Sequence, residues 1–211
     1  FDEPLILSGH SHTQQHHFHG AEAGWRGATP LHEYNVGAAC GGYWSGLPDQ
    51  AGLPDARMQD GSPNGYALLG FADGRYRMRF HASRGREALR IGLTSPGVLR
   101  RADLGAAADA VFGAEPDARV EYRIDDGPWR AMSPSAEPDP ALLAQNIDDT
   151  RSAALRSRDR AVVAQPTRHL WAARVPTDLA AGEHRIEVRA QSRYEGELHA
   201  TTTYRLDEWA D

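Results

Sequence analysis

A period-two alternation recurs in three stretches of this chain and limits those stretches to strands. In Arg75–Ala82 the apolar Tyr76, Met78, Phe80 and Ala82 alternate with Arg75, Arg77, Arg79 and His81. Arg119–Ile124 repeats the pattern with Val120, Tyr122 and Ile124, and Glu183–Ala190 with Ile186, Val188 and Ala190. Successive side chains of a strand point to opposite faces, so this spacing predicts half-buried strands with one face on a core and one in water. Gly65–Phe71, Ala88–Thr94, Trp129–Met132, His169–Val175 and Leu198–Leu206 read as further strands. Ala72-Asp73-Gly74 makes a hairpin turn, as does Asp125-Asp126-Gly127-Pro128, and Ser95-Pro96-Gly97 closes a strand. No repeat of 20–50 residues is visible. The expected fold class is mainly β.

A strand, an Asp126-Gly127-Pro128-Trp129 turn, a second strand, and then Leu179–His184 leading into another alternating strand is similar to immunoglobulin-like or fibronectin-like modules. That resemblance implies a β-sandwich, with His184 as a structural residue at a strand start. Between the strands lies a polar excursion, 134–166. Asp139-Pro140 is a helix start, an N-cap followed by a first-turn proline, and Ala141–Ile147 is predicted as a short helix.

The start of the chain follows another pattern. Leu5-Ile6-Leu7-Ser8 is a short apolar run, Pro4–Ser8 is expected to be a fully buried strand, and it leads into Gly9-His10-Ser11-His12. Glycine permits a sharp turn, and two imidazoles at i and i+2 then project close together. Such a pair suits two metal ions side by side, each taking one neutral nitrogen. A solvated His-rich loop accounts for the same spacing, since five of the ten histidines fall between His10 and His19. Residues 13–30 show no periodicity and read as loop, with His16, His17 and His19 at a cleft rim or on the surface. Leu31–Ala39 is a candidate strand. Cys40-Gly41-Gly42-Tyr43-Trp44-Ser45-Gly46 then sets two aromatics among glycines, which allows close backbone approach and presents flat, rigid side chains. Those aromatics suit a substrate cleft or an interdomain contact, or else a core. Cys40, between small residues, reads as a buried thiol, and one cysteine excludes an intrachain disulfide. Asp60-Gly61-Ser62-Pro63-Asn64-Gly65 is dense turn chemistry, with Asp60 expected to bond nearby backbone N–H groups.

Taken together, Gly9-His10-Ser11-His12, the Asn35–Gly46 segment and Met58–Tyr66 resemble the calcineurin-like metallophosphoesterases. The first looks like that family's last metal-ligand motif, Gly-His-x-His, and the other two look like the C-terminal domain of one bacterial branch. The resemblance spans residues 4–206. It implies that His10 binds one divalent metal ion and His12 a second; in the cleft reading Tyr43 and Trp44 would contact a phosphate-ester substrate. The family's Asp-x-His, Gly-Asp-x-x-Asp and Gly-Asn-His-Asp/Glu elements do not precede His10, and no Gly-Asn-His occurs anywhere. The chain is therefore expected to be the C-terminal portion of a hydrolase, inactive alone. Residues 1–30 would be the stub of the α/β catalytic domain and 31–211 the β-sandwich. The two metal ions would belong to the intact parent, with no metal or a partial site in this chain. Its expected partner is the upstream catalytic domain. A periplasmic or secreted location would follow only if the parent carries a signal peptide.

Charge narrows the alternatives. The formal net charge is −6, and all 23 basic residues are arginine. That balance argues against a nucleic-acid binder, and Arg75, Arg77 and Arg79 read as the solvated face of a strand. No apolar run is long enough to span a membrane. The competing reading is a non-catalytic β-sandwich module that binds glycan, envelope or partner protein through Trp25, Tyr43, Trp44 or Trp209. If Tyr43 and Trp44 lie beside His10 and His12, the cleft reading gains; if they lie far away, the module reading gains.

Overall fold

The computed structural model describes residues 3–48, 50–83, 91–95, 97–100, 107–110 and 115–207. The fold is mainly β: among the described residues there are fourteen strands and one α-helix. The chain divides into two compact units, Phe1–Glu87 with Glu137–Thr167, and Ala88–Ala136 with Arg168–Asp211.

The first unit holds β1 (Leu5–Ser8), β2 (Gln15–His19) and β3 (Leu31–Asn35), which form one sheet with β3 in the middle. β3 runs parallel to β1 and antiparallel to β2. The strand β2 corrects the expectation of a loop over 13–30. Its alternation was hidden because the inward positions carry imidazole. His16 and Phe18 lie on the same face as His32 and Tyr34, with ring centroids 4.6 Å apart for His16–Tyr34 and 4.8 Å for Phe18–His32. His16 and His32 are buried and share a 2.9 Å hydrogen bond, and His32 meets the Tyr76 hydroxyl at 2.7 Å. Stacked, hydrogen-bonded imidazoles satisfy their polar atoms and pack as rings, so they substitute for apolar residues. His16 is thus a core residue and not part of a rim. β1 is also corrected: it is not fully buried, with Ile6 40 % and Leu7 53 % exposed. It pairs with β3 along one edge, and its apolar side chains reach water on both faces.

β4 (Gly65–Ala72) and β5 (Arg75–Ala82) form a hairpin through Asp73-Gly74, both with positive φ, as a tight two-residue turn requires. Tyr76 and Met78 face inward, while Arg75, Arg77 and Arg79 are exposed, as the alternation predicts. The helix α1 (Pro140–Arg151) begins where expected and runs one turn longer. Asp139 caps it by accepting from the Leu142 N–H at 2.7 Å, and Pro140 occupies the first turn. Asn146 donates to the Val162 carbonyl at 2.8 Å, and Asp149 accepts from the Ala161 N–H at 2.7 Å. These bonds fold the end of the excursion back onto its own helix.

The second unit contains β6 (Leu93–Thr94), β7 (Val98–Arg100), β8 (Ala107–Ala110), β9 (Arg119–Ile124), β10 (Arg130–Ala131), β11 (Ser133–Ser135), β12 (Leu170–Arg174), β13 (Gly182–Ser192) and β14 (Gly196–Asp207). One sheet has the order β10-β9-β13-β14-β7 and the other β11-β12-β8-β6. The chain crosses from the first sheet to the second at buried Met132, between β10 and β11. Val120, Tyr122, Ile186, Val188, Tyr204 and Leu206 from one sheet meet Trp171 from the other in a single buried cluster. Each such side chain contributes roughly 1.5–3 kcal/mol on leaving water. Of the expected strand Ala88–Thr94, only Leu93–Thr94 is a strand, and residues 88–90 lie outside the described residues, as does Trp209. No helix of the described residues is long and apolar enough to cross a membrane.

His184, near the start of β13, contacts two acceptors, the Asp125 carboxylate at 2.8 Å and the Ala180 carbonyl at 2.8 Å. Neither partner can donate, so only the doubly protonated imidazolium satisfies both. Its pKa is accordingly raised, first by Asp125, and that of Asp125 is lowered, first by His184. The imidazolium contribution is complete below the unfolded value, about pH 6.5, and is lost as pH rises through the raised folded value. The carboxylate contribution is present above its ordinary value and is lost as pH falls through the lowered one. Denaturant unfolding should therefore show stability declining by about 1 kcal/mol from mildly acidic to alkaline pH, a modest figure because Asp125 is half exposed. Asp125→Asn, which tolerates the positive φ of that turn, should flatten the decline. An unchanged pH profile in that variant would refute the role given to the pair.

Candidate functional site

The loop after β1 sets His10 at φ 79° and His12 at φ 54°. His10 is exposed and His12 half-buried. His12 Nδ1 lies 2.7 Å from the Gly41 carbonyl oxygen. A carbonyl only accepts, so Nδ1 carries the proton, and Nε2 of the neutral ring keeps its lone pair. Asn35, at the end of β3, donates to the Ser11 hydroxyl and to the Thr13 carbonyl at 3.3 Å. Asp60 is 1 % exposed and accepts from the Gln14 N–H at 2.7 Å and from the Ser62 N–H at 3.0 Å. The turn role expected of Asp60 is present, and the same carboxylate also anchors the distant histidine loop.

The loop that supplies the carbonyl is a run of turns from Ala39 to Trp44. Gly41 has φ 58°, and a Cβ there would sit 1.7 Å from the Ala56 carbonyl oxygen. A Cβ on Gly42 would sit 2.0 Å from Val162 Cγ1, in the excursion that follows α1. Only glycine lets this backbone pass between those two neighbours. Gly42 N–H donates to the Arg57 carbonyl at 2.7 Å, and Trp44 N–H to the Cys40 carbonyl at 2.8 Å. Tyr43 and Trp44 are then turned outward, 73 % and 48 % exposed. The Tyr43 ring stands 4.9 Å from the His12 ring, at 32°. Cys40 is also exposed, which corrects the expectation of a buried thiol: the turn places its side chain outside.

The backbone at these positions is costly. Among the described residues, six that are not glycine have positive φ: His10, His12, Tyr43, Trp44, Asp73 and Asp125. Asp73 and Asp125 sit in hairpin turns, where aspartate tolerates this region. The other four are the two histidines and the two aromatics singled out in the sequence. Each carries roughly 1–2 kcal/mol of strain for an L-residue, a cost that persists where surrounding contacts enforce it and that concentrates at functional sites.

The remaining histidines of the segment lie elsewhere. His16 is in the sheet core, and His19 Nε2 meets Glu33 at 2.7 Å. The Glu33 carboxyl is held below its usual range first by the Ser8 hydroxyl and then by His19. Among the described residues no three His, Cys, Asp or Glu side chains gather as a metal site. The sequence does not mark Asn35 as a bond donor, nor the Gly41 carbonyl or Val162. Asn35 heads the Asn35–Gly46 segment, but nothing there assigns its side chain a role, and a backbone carbonyl has no residue-type signature. Removing the buried anchor should be measurable: Asp60→Ala strands two N–H groups and should lower the unfolding free energy by about 2–3 kcal/mol in a urea titration. A loss below 0.5 kcal/mol, on the order of a surface substitution, would contradict the anchoring role.

A search of curated proteins and a search of solved structures each returned no match. A family model described as the C terminal of calcineurin-like phosphoesterase matches residues 33–197, which takes in the Gly41–Trp44 turn, Asp60, the excursion and most strands of the second unit. The chain therefore belongs to the C-terminal-domain family of the calcineurin-like phosphoesterases.

Proposed function

We propose that this chain is the C-terminal region of a dinuclear-metal phosphoesterase, supplying two metal-ligand histidines and an accessory β-sandwich. In this reading residues 1–30 end the catalytic domain, and 31–211 form the accessory part. The observation that carries it is the 2.7 Å bond from His12 Nδ1–H to the Gly41 carbonyl. Metal-binding imidazoles commonly donate their second nitrogen to a backbone carbonyl, which fixes the tautomer and aims the other lone pair. Here the carbonyl comes from the accessory domain's own Gly41-Gly42 turn. The exposed apolar edge strand β1 supports the same reading, since a strand with Ile6 and Leu7 in water suits a larger sheet.

The residues fit the metals that the family implies. His10 and His12 are neutral-capable imidazoles held at strained backbone positions, and His12 has its second nitrogen already committed. Two divalent ions in such a site supply an activated water and neutralise charge on the phosphoryl group. His12 provides an oriented Nε2 lone pair, and Tyr43, 4.9 Å away, shields one side of that ring from solvent. Tyr43 and Trp44 present flat exposed faces on which the organic part of a phosphate ester can lie. Two imidazoles cannot by themselves hold two ions, because affinity depends on a complete preformed ligand set. The glycan-binding or partner-binding module reading is less favoured, because Tyr43 lies beside His12 and not on a separate strip.

Two measurements test this. The purified chain should show no metal-dependent hydrolysis of p-nitrophenyl phosphate, and robust turnover would overturn the claim of an incomplete site. Joined to the catalytic domain encoded upstream, His12→Ala should lower metal-dependent turnover by at least about a hundredfold. Gly41→Ala, which disturbs the supporting carbonyl, should lower it by roughly 10–100-fold. Full activity in His12→Ala would exclude it as a ligand.

A further inference from the structure

The outer face of the β4–β5 hairpin carries a charge pattern that the phosphoesterase reading does not use. Arg75, Arg77 and Arg79 are exposed on β5 at every second residue, so they form a row with a spacing of about 6.5–7 Å. Their cross-strand neighbours are Ala72, Gly70 and Leu68, none of which can neutralise them. No ion pair forms on these three among the described residues, whereas other arginines lie against carboxylates: Arg123 on Glu187, Arg189 on Glu121, Arg185 on Asp126 and Arg205 on Asp207. In a chain of net charge −6 this is a local cationic stripe. Within the hairpin itself, residues 65–82, the acidic residue is Asp73 at the turn.

The same face is also apolar. Tyr66 and Leu68 lie on it, 52 % and 55 % exposed, with Tyr66 stacked on His81 at 5.3 Å. Phe71, next to the turn, is 59 % exposed. Gly70 has open space where a side chain would stand, so no bulk rises opposite Arg77. Unpaired guanidinium groups interleaved with exposed leucine and tyrosine match a surface that offers phosphates and hydrocarbon together. Arginine forks bind phosphate oxygens, tyrosine favours a boundary with one wet side, and leucine gains by leaving water. A nucleic acid would use the charge and leave Leu68 unburied, and the acidic remainder of the chain would oppose it.

We infer that the Arg75–Arg77–Arg79 face of the β4–β5 hairpin docks on an anionic phospholipid surface. The ribbon lies flat on the headgroups, its arginines on lipid phosphates and Leu68 with Tyr66 at the hydrocarbon boundary. Attraction of this kind is worth roughly a fivefold gain in binding per arginine and fades within a Debye length, about 8 Å at physiological salt.

Flotation of the 211-residue chain with vesicles of phosphatidylcholine, alone or mixed with phosphatidylglycerol, tests this. Binding should require phosphatidylglycerol and weaken steeply as salt is raised. Arg75→Glu with Arg77→Glu and Arg79→Glu should reduce it by roughly a hundredfold or more, and the matching triple lysine variant should stay within about tenfold. Leu68→Ser should weaken binding several-fold without changing its salt dependence. Circular dichroism reports whether each variant is folded. Should the triple glutamate variant fail to fold, Arg77→Glu alone, expected to lose about fivefold or more, takes its place. Three outcomes would overturn the inference: no binding to phosphatidylglycerol vesicles at low salt, unchanged binding after charge reversal, or tighter binding to a single-stranded oligonucleotide than to the vesicles.

Discussion

Everything at the candidate site depends on a backbone that has no room for a side chain. The Gly41-Gly42 pair runs between the Ala56 carbonyl and Val162, closer to each than any Cβ would allow. From that position the Gly41 carbonyl reaches His12, and the following two residues are turned into solvent at positive φ. One steric requirement thus sets the tautomer of an imidazole and the presentation of two aromatic rings. The excursion through α1 acquires a role in the same way: it delivers Val162 as the wall behind Gly42, and Asn146 and Asp149 hold it there by bonds to backbone.

The first unit accepts unusual costs in return. Four strained non-glycine residues and a buried carboxylate are not economical ways to stabilise a small β unit. Each is compensated locally: Asp60 by the N–H groups of Gln14 and Ser62, and the histidine loop by Asn35. The imidazole stack of His16 and His32 follows a similar logic, trading apolar side chains for rings that bond one another and the Tyr76 hydroxyl. The second unit is built more simply: among its described residues the main cluster is hydrophobic, its buried Glu115 is met by the Ser192 hydroxyl and the Arg193 N–H, and its hairpin turns use residues suited to them.

Much of the fold was legible before any coordinates. The β4–β5 hairpin, its turn and the inward Tyr76 and Met78 follow from alternation, because a half-buried strand imposes period two on any sequence that forms it. The same holds for β9 and β13, and the start of α1 follows from Asp139-Pro140, since a cap and a first-turn proline act through local backbone chemistry. β2 was missed, because histidine counts as polar in any pattern and its burial depends on a ring partner on another strand. β1 was read as buried because an apolar run carries no record of how many neighbours its strand will have.

Local sequence, then, determined the β character, the hairpins and the helix cap, since each is fixed by interactions within a few positions. Tertiary structure decided that His12 and Tyr43 meet, that Asp60 anchors a loop 46 residues away, and that Val162 backs Gly42. Such contacts depend on how distant segments pack, and neither a backbone carbonyl nor a missing Cβ announces its partner in the order of residues.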